Sequence, residues 1–202
     1  MNCTVHPLEM KRKFIKGGVA ALYLNAMNQS LSSEQALLLR EIYFPSLERE
    51  TETTRRVIEA IPADKGDFRP DAVSKTALEL AWHIAASEKR FLNGIADGGF
   101  DFSPITRPET VKNSADITRW YSEMTGAVLP RLKQISGEQL SKSLDFRGMF
   151  AMPAVMFFQM TMMHSAHHRG QLSTYLRPMG GKVPAIYGES YDSAEARKAA
   201  QK

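Results

Sequence analysis

Residues 153–178 read PAVMFFQMTMMHSAHHRGQLSTYLRP. Between positions 154 and 163 only Gln159 and Thr161 are polar, so apolar side chains leave a 3.6-residue repeat in nearly every direction. Such a helix needs other elements to cover it on several sides. Pro153 suits its first turn, where a missing N–H breaks no bond, and Pro178 or Gly180-Gly181 ends it. A fold built around this segment has to supply helices that surround it.

Three more are visible upstream. Ser114 opens one whose inner face carries Ile117, Trp120, Tyr121, Met124, Val128, Leu129 and Leu132; Pro130 is expected to kink it or remove one backbone bond. Residues 75–96 form another, with the stripe Ala77, Leu80, Ala81, Ile84, Phe91 and Leu92, and Gly98-Gly99 stops it. His83 sits at the margin of that stripe. The first helix starts at Ser32 or Ser33 as N-cap, with Glu34 in its first turn. Leu47, Glu50, Thr54, Val57, Ile58 and Ile61 then share one face as far as Pro62, and Pro45 either bends this helix or begins a new one. Glu50 is a carboxylate where an apolar residue is expected.

The connections are 64–74, rich in Asp, Gly and Pro, 104–112, and an extended stretch at 141–148 after the Ser136-Gly137 turn. Strand-type alternation is nowhere sustained and no repeat is apparent. Four long helices without a sheet indicate an all-α four-helix bundle over residues 33–190, followed by a polar C-terminal tail at 191–202. Residues 1–32 read as an N-terminal extension or a mis-called leader. Lys11-Arg12-Lys13 and the apolar run after Gly17 resemble a secretory leader, but Asn25 interrupts the run and no small-x-small cleavage site follows; Met27 is an alternative start.

Bulk properties narrow the function classes. The 202 residues suit one domain with its own core, and 43% hydrophobic with 24% charged residues is ordinary for a globular chain. The formal charge of +4 is mild and scattered, without the interleaved aromatic and basic residues of a nucleic-acid groove. No stretch reaches the roughly 20 apolar residues of a membrane span; residues 149–163 are too short and are interrupted by Pro153 and Gln159. The single Cys3 permits no internal disulfide, which suits a reducing, cytoplasmic compartment.

The chemistry-bearing residues lie in the helix first quoted. His164 and His168 are four apart, so both imidazoles leave the same face and can converge on one cation at about 2.1 Å. Phe157, Met160, Gln171 and Tyr175 share that face, which places the pair inside the bundle. His167 is a geometric substitute for His168, displaced about 60° to the other side of His164. A third ligand has to come from another helix, and the remaining candidates are His83 and His6. A lone histidine at a stripe margin is more often a hydrogen-bonded boundary residue than a ligand. Two buried side by side are harder to explain, because an unsatisfied buried polar group costs about 1–3 kcal/mol and a metal removes that cost. Ser165 rather than Glu between the ligands excludes the zinc-protease motif, and neither a nucleophile elbow nor a phosphate loop is present.

Leu80-Ala81-Trp82-His83-Ile84-Ala85, the run from His164 through His168-Arg169-Gly170-Gln171 to Arg177, and Val183-Pro184-Ala185-Ile186-Tyr187-Gly188 together resemble the DinB-like superfamily, metal-binding proteins unrelated to the DNA polymerase of that name. Arg55-Arg56, Ile61-Pro62 and Phe68-Arg69-Pro70 extend the resemblance over about residues 42–190. It implies an up-down-down-up bundle with one long crossover and a divalent metal on His83, His164 and His168. Zinc is the default ion for three imidazoles, and nickel, iron and manganese suit the same ligands. Three protein ligands leave positions open for chemistry.

Relatives include S-transferases using low-molecular-weight thiols, a thiol-dependent isomerase and hydrolases, and dimers are common. The expectation is therefore a metal-dependent thiol S-transferase-like homodimer acting on a small-molecule substrate. The alternatives are a hydrolase using a metal-activated water and a non-enzymatic metal- or ligand-binding bundle. Within such a site Glu50 would act as a base or orient a ligand imidazole, or else pair with Arg169. Gln171 and Tyr175 would contact substrate or hydrogen-bond the ligands.

Overall fold

The computed structural model describes residues 30–201; Cys3, His6 and the basic run at 11–13 lie outside them. Helix α1, Ser33–Glu59, begins with a capping box in which the Ser32 hydroxyl accepts from Gln35 N–H and the Gln35 side chain accepts from Ser32 N–H. It neither ends nor restarts at Pro45. Helix α2, Ala77–Asp97, is capped in the same way by Thr76 and Glu79. Helix α3, Ser114–Gln134, starts on Asn113 and runs through Pro130. Helix α5, Met156–Leu176, is the segment whose apolar surface requires covering. A one-turn helix α4, Gly137–Ser141, precedes it. None of the described helices is long and apolar enough to cross a membrane.

Helix α5 packs mainly on α1 and α2, and α3 packs on the same two, so four long helices enclose one core. That core has two apolar halves. One gathers Phe44, Leu47, Phe91, Leu132, Phe157 and Phe158, and the other gathers Val57, Ile84, Ile117, Leu172 and Leu176. Each such side chain contributes about 1.5–3 kcal/mol by leaving water. On each of the four long helices, residues between the two halves are polar and buried: Thr51 and Thr54 on α1, Glu88 on α2, Thr125 on α3, and Ser165 and Arg169 on α5. The bundle is therefore greasy at both ends and polar across its middle.

Two expectations need correcting, and a third gains detail. The chain is not purely helical: within the stretch expected to be extended at 141–148, β1, Ser143–Phe146, pairs antiparallel with β2, Phe150–Pro153. The turn between them has positive φ at both Arg147 and Gly148, and Met149 N–H closes it on Phe146 O at 3.1 Å. Four-residue strands are too short for alternation to show in a sequence. Pro153 is accordingly the last residue of β2 and not part of the first turn of α5. The polar tail is helical: α6, Tyr191–Ala200, is capped by Ser190 and held to the bundle by Asp192, which accepts from Val183 N–H at 2.8 Å and pairs with Arg177 at 2.8 Å.

The segment after α2 is drawn back over the bundle. Gly98 caps α2 at φ 73°, a left-handed conformation that glycine adopts without strain. Phe100 then lies on Gly94 so closely that a Cβ there would overlap the ring. Trp82 Nε1–H donates to Ile105 O at 3.2 Å and fastens the same connection beside His83.

Candidate metal centre

The packing of α2 on α5 brings His83 to His164 and His168. All three rings are half-buried, and their ligand-type nitrogens lie within 4.8 Å of one another. The imidazoles meet edge to face, with centroids 4.5 Å apart for His83 and His168 and again for His164 and His168. Phe91 packs edge-on against His164, its ring centroid 5.6 Å away, and fixes that ring from the apolar side. His167 is exposed and stands beside His168, outside the cluster of three.

The protons are arranged for ligation. His168 Nδ1–H donates to Gln171 Oε1 at 2.7 Å, which leaves the His168 Nε2 lone pair facing His83 Nε2 at 3.1 Å. Two donors on a tetrahedral ion with bonds of about 2.1 Å stand about 3.4 Å apart, so these two nitrogens are already near ligand spacing. Burial, reinforced by the neighbouring His168, lowers the His83 pKa. The same two causes push His164 down to about 4. Both rings are thus neutral at pH 7, the form that binds metal. His164 Nδ1 is buried without a hydrogen-bond partner among the described residues. The donor set, its spacing and this unmet bonding capacity all fit a divalent cation.

Gln171 reaches the cluster through His168. Tyr175 packs edge-on against Phe68, 5.8 Å between centroids, beside the apolar half that contains Leu172 and Leu176. Glu50 forms an ion pair with Arg169, which is only 1% exposed although it follows a ligand in the chain. Arg169 also donates from Nη1 to Glu50 O at 3.1 Å and to Thr54 Oγ1 at 3.0 Å, and from Nη2 to the Tyr187 hydroxyl at 2.6 Å. Tyr187 in turn donates to Glu50 Oε2 at 3.1 Å. The motif at 183–188 thereby closes over the buried guanidinium.

One charged residue of this polar middle is marked by no motif in the sequence. Glu88 is fully buried on α2, accepts from the Tyr121 hydroxyl and from Thr54 Oγ1 at 3.4 Å, and is pushed up to about 7 by burial. Its trace in the sequence is the gap in the α2 stripe between Ile84 and Phe91, where the spacing calls for an inward residue at 88.

Comparisons with known proteins bear on the family and the fold. The DinB family model matches residues 27–201, which include the terminal helix α6. The uncharacterized protein YjoA of Bacillus subtilis (strain 168) is 31% identical over 129 residues, covering 63% of this chain and 82% of that protein. The uncharacterized protein YrdA of the same organism is 27% identical over 150 residues, covering 72% and 86%. The crystal structure of YjoA, described as a DinB-like protein, superposes with a TM-score of 0.61 at 26% identity, covering 73% of this chain and 99% of that one. A DinB-like protein from Bacillus cereus ATCC 10987 gives 0.62 at 26% identity, covering 73% and 97%. With matching sequence, matching fold and a histidine cluster compatible with metal binding, the chain belongs to the DinB family.

Proposed function

We propose that His83, His164 and His168 hold one divalent ion, with zinc as the first choice, and that the protein is a metal-dependent transferase joining a low-molecular-weight thiol to an electrophile. The observation that carries this reading is the meeting of three imidazoles from two helices, two of them held neutral by burial, with their nitrogens at near-ligand spacing. Such an ion, when bound, leaves positions for a thiol or water and lowers its pKa towards neutrality.

The chain's own residues do the rest. Gln171 keeps the His168 proton on Nδ1 and so keeps Nε2 available. Phe91 shields one side of His164 from water. Arg169 and Tyr187 hold the Glu50 carboxylate, which is either the acceptor for a proton released in the site or the anchor that keeps Arg169, and through it the His168 turn, in place. In the same reading the four long helices follow the up-down-down-up course, two copies pair, and the protein works in the cytoplasm.

Metal analysis should find about one divalent ion per chain, and close to none in the His83→Ala, His164→Ala double variant. Stoichiometry that stays near one in the variant overturns the site. Thiol consumption, followed across a panel of low-molecular-weight thiols with a model electrophile, should match product formation mole for mole. Product without thiol loss sinks the transferase reading and leaves hydrolysis. For Glu50→Gln, turnover falling more than metal content identifies a base, and equal loss of both identifies an anchor.

A further inference from the structure

His164 has a second surrounding besides the histidine cluster: it forms part of the wall of a cavity of about 330 Å³. Ligand pockets for small molecules begin near this volume. The cavity is assembled from four separate pieces of chain, which are α2, the loop after it, the β-hairpin and α5, the last contributing Met160 and the histidine. Phe91, Phe102 and Phe146 make its apolar wall together with Met160. Phe91 and Phe146 stack at 5.7 Å, and Phe102 meets Phe146 edge-on at 5.1 Å, so the wall is packed in one arrangement.

Two arginines, Arg90 and Arg147, border the same space, and neither forms an ion pair among the described residues. Arg90 is held in place by backbone: Nε–H donates to Asp101 O at 3.1 Å and Nη2–H to Ser103 O at 2.7 Å. Carbonyl acceptors orient a guanidinium without neutralising it. The Asp101 carboxylate accepts from Ser103 N–H at 2.8 Å and makes no ion pair with Arg90, although the Arg90 charge adds to the hydrogen bonds that hold its carboxyl below the usual range. Arg147 occupies the hairpin turn at φ 58°, where a non-glycine residue is unusual, and its guanidinium lies over the Phe102 ring at 4.7 Å. A second cavity of similar size, about 320 Å³ between α2 and α3, differs in both respects: Glu123 joins Lys89 and Arg131 there, and no member of the histidine cluster borders it.

We propose that the cavity beside His164 is the substrate pocket of the metal site and that it takes a small carboxylate with an aromatic or similarly apolar body. The carboxylate is held by Arg90 and Arg147, and the body lies against Phe91, Phe102 and Phe146. The assignment rests on the histidine cluster as the reacting centre, because a molecule filling this cavity lies against His164. Two unpaired guanidiniums beside an apolar wall recognise an amphiphilic anion and discriminate against its neutral analogue.

The test is calorimetric titration of the purified full chain with 3-phenylpropionate and with its primary amide, which has the same shape and no charge. The acid should bind at least about tenfold more tightly than the amide, the least expected of a hydrogen bond to a charged group. Arg147→Gln, an exposed turn position, should remove most of that preference and leave the amide unchanged, whereas Phe102→Ala should weaken both ligands alike. Equal affinity for acid and amide overturns the proposal. So does acid binding that survives Arg147→Gln and disappears with chelator, because the carboxylate is then a metal ligand; that outcome leaves the metal reading standing. A preference for the acid that persists in chelator and in His83→Ala supports the pocket even where metal analysis of the wild-type protein finds no ion.

Discussion

Helices α2 and α5 each contribute to two polar clusters, and the two differ in what they lack. His83, His164 and His168 are half-buried, and the one side-chain hydrogen bond they make outside the cluster, among the described residues, is donated by His168 to Gln171. Glu88, Tyr121, Thr54, Arg169, Glu50 and Tyr187 form the other cluster, mostly buried, in which each charged group has its partner within the chain. The second cluster is closed on itself, so its members hold one another in place. The first is open, with one buried nitrogen, His164 Nδ1, that has no partner among the described residues, and an open polar cluster is where an outside atom gains most by binding. Polarity inside a helical bundle is therefore informative only after the partners have been counted.

The contrast has measurable consequences. The largest concerns the closed cluster. Arg169→Met keeps the volume but strands the Glu50 carboxylate, and breaking such a pair costs about 3–5 kcal/mol. At roughly 2–4 °C per kcal/mol for a chain of this size, thermal unfolding should shift down by about 6–20 °C. A loss below about 1 kcal/mol would mean that the cluster is not a unit.

The open cluster should behave the other way, contributing stability only when filled. Divalent ion at about 100 times its dissociation constant should raise the wild-type unfolding free energy by about 2.7 kcal/mol, and the His83→Ala, His164→Ala variant should gain nothing. Equal stabilisation of both would place the ion elsewhere. A smaller effect is expected at the partner of a ligand: Gln171→Ala should weaken metal affinity by about 10–100-fold in a competition titration while the unfolding curve without metal stays put.

The two clusters should also respond to pH in opposite directions, seen most simply in chelator with urea unfolding. His164 titrates at about 4 in the folded chain against an ordinary 6.5. Between those values the unfolded chain binds a proton that the folded chain refuses, so stability falls as the pH drops from 6.5 to 4. Glu88 titrates at about 7 against an ordinary 4.5, so the folded chain keeps a proton that the unfolded chain has released. Stability from this group is present below 4.5 and is lost as the pH rises through 7. His164→Ala should flatten the acid limb and Glu88→Gln the neutral one. The same variant flattening both limbs would show that the clusters titrate as one.

Particular residues show how far the sequence could be read. The His164 and His168 pair was legible because four-residue spacing on a helix is a local property, and their apolar surroundings at 154–163 already placed them inside a bundle. Glu50 was legible as a carboxylate on an apolar face. Its partner was among several options, since Arg169 lies 119 positions away and only packing brings the two together. Glu88 left a gap in a stripe, which is weak evidence taken alone. The hairpin at 143–153 left none, because four-residue strands carry too little alternation and the turn depends on positive φ at Arg147, a residue type with no special preference for it.

Local periodicity by itself determined four long helices, the helix that must be surrounded, and two of the three candidate ligands. These follow from the 3.6-residue repeat and the cost of exposing apolar surface, which act within a single helix. Tertiary structure alone decided that His83 joins the pair, that Arg169 is neutralised by Glu50 and Tyr187, and that Arg90, Phe102 and Arg147 share one cavity with His164. The physical reason is that each of these depends on which surfaces pack together. Packing is selected by the summed burial of the whole core, so no single stretch of the sequence records it.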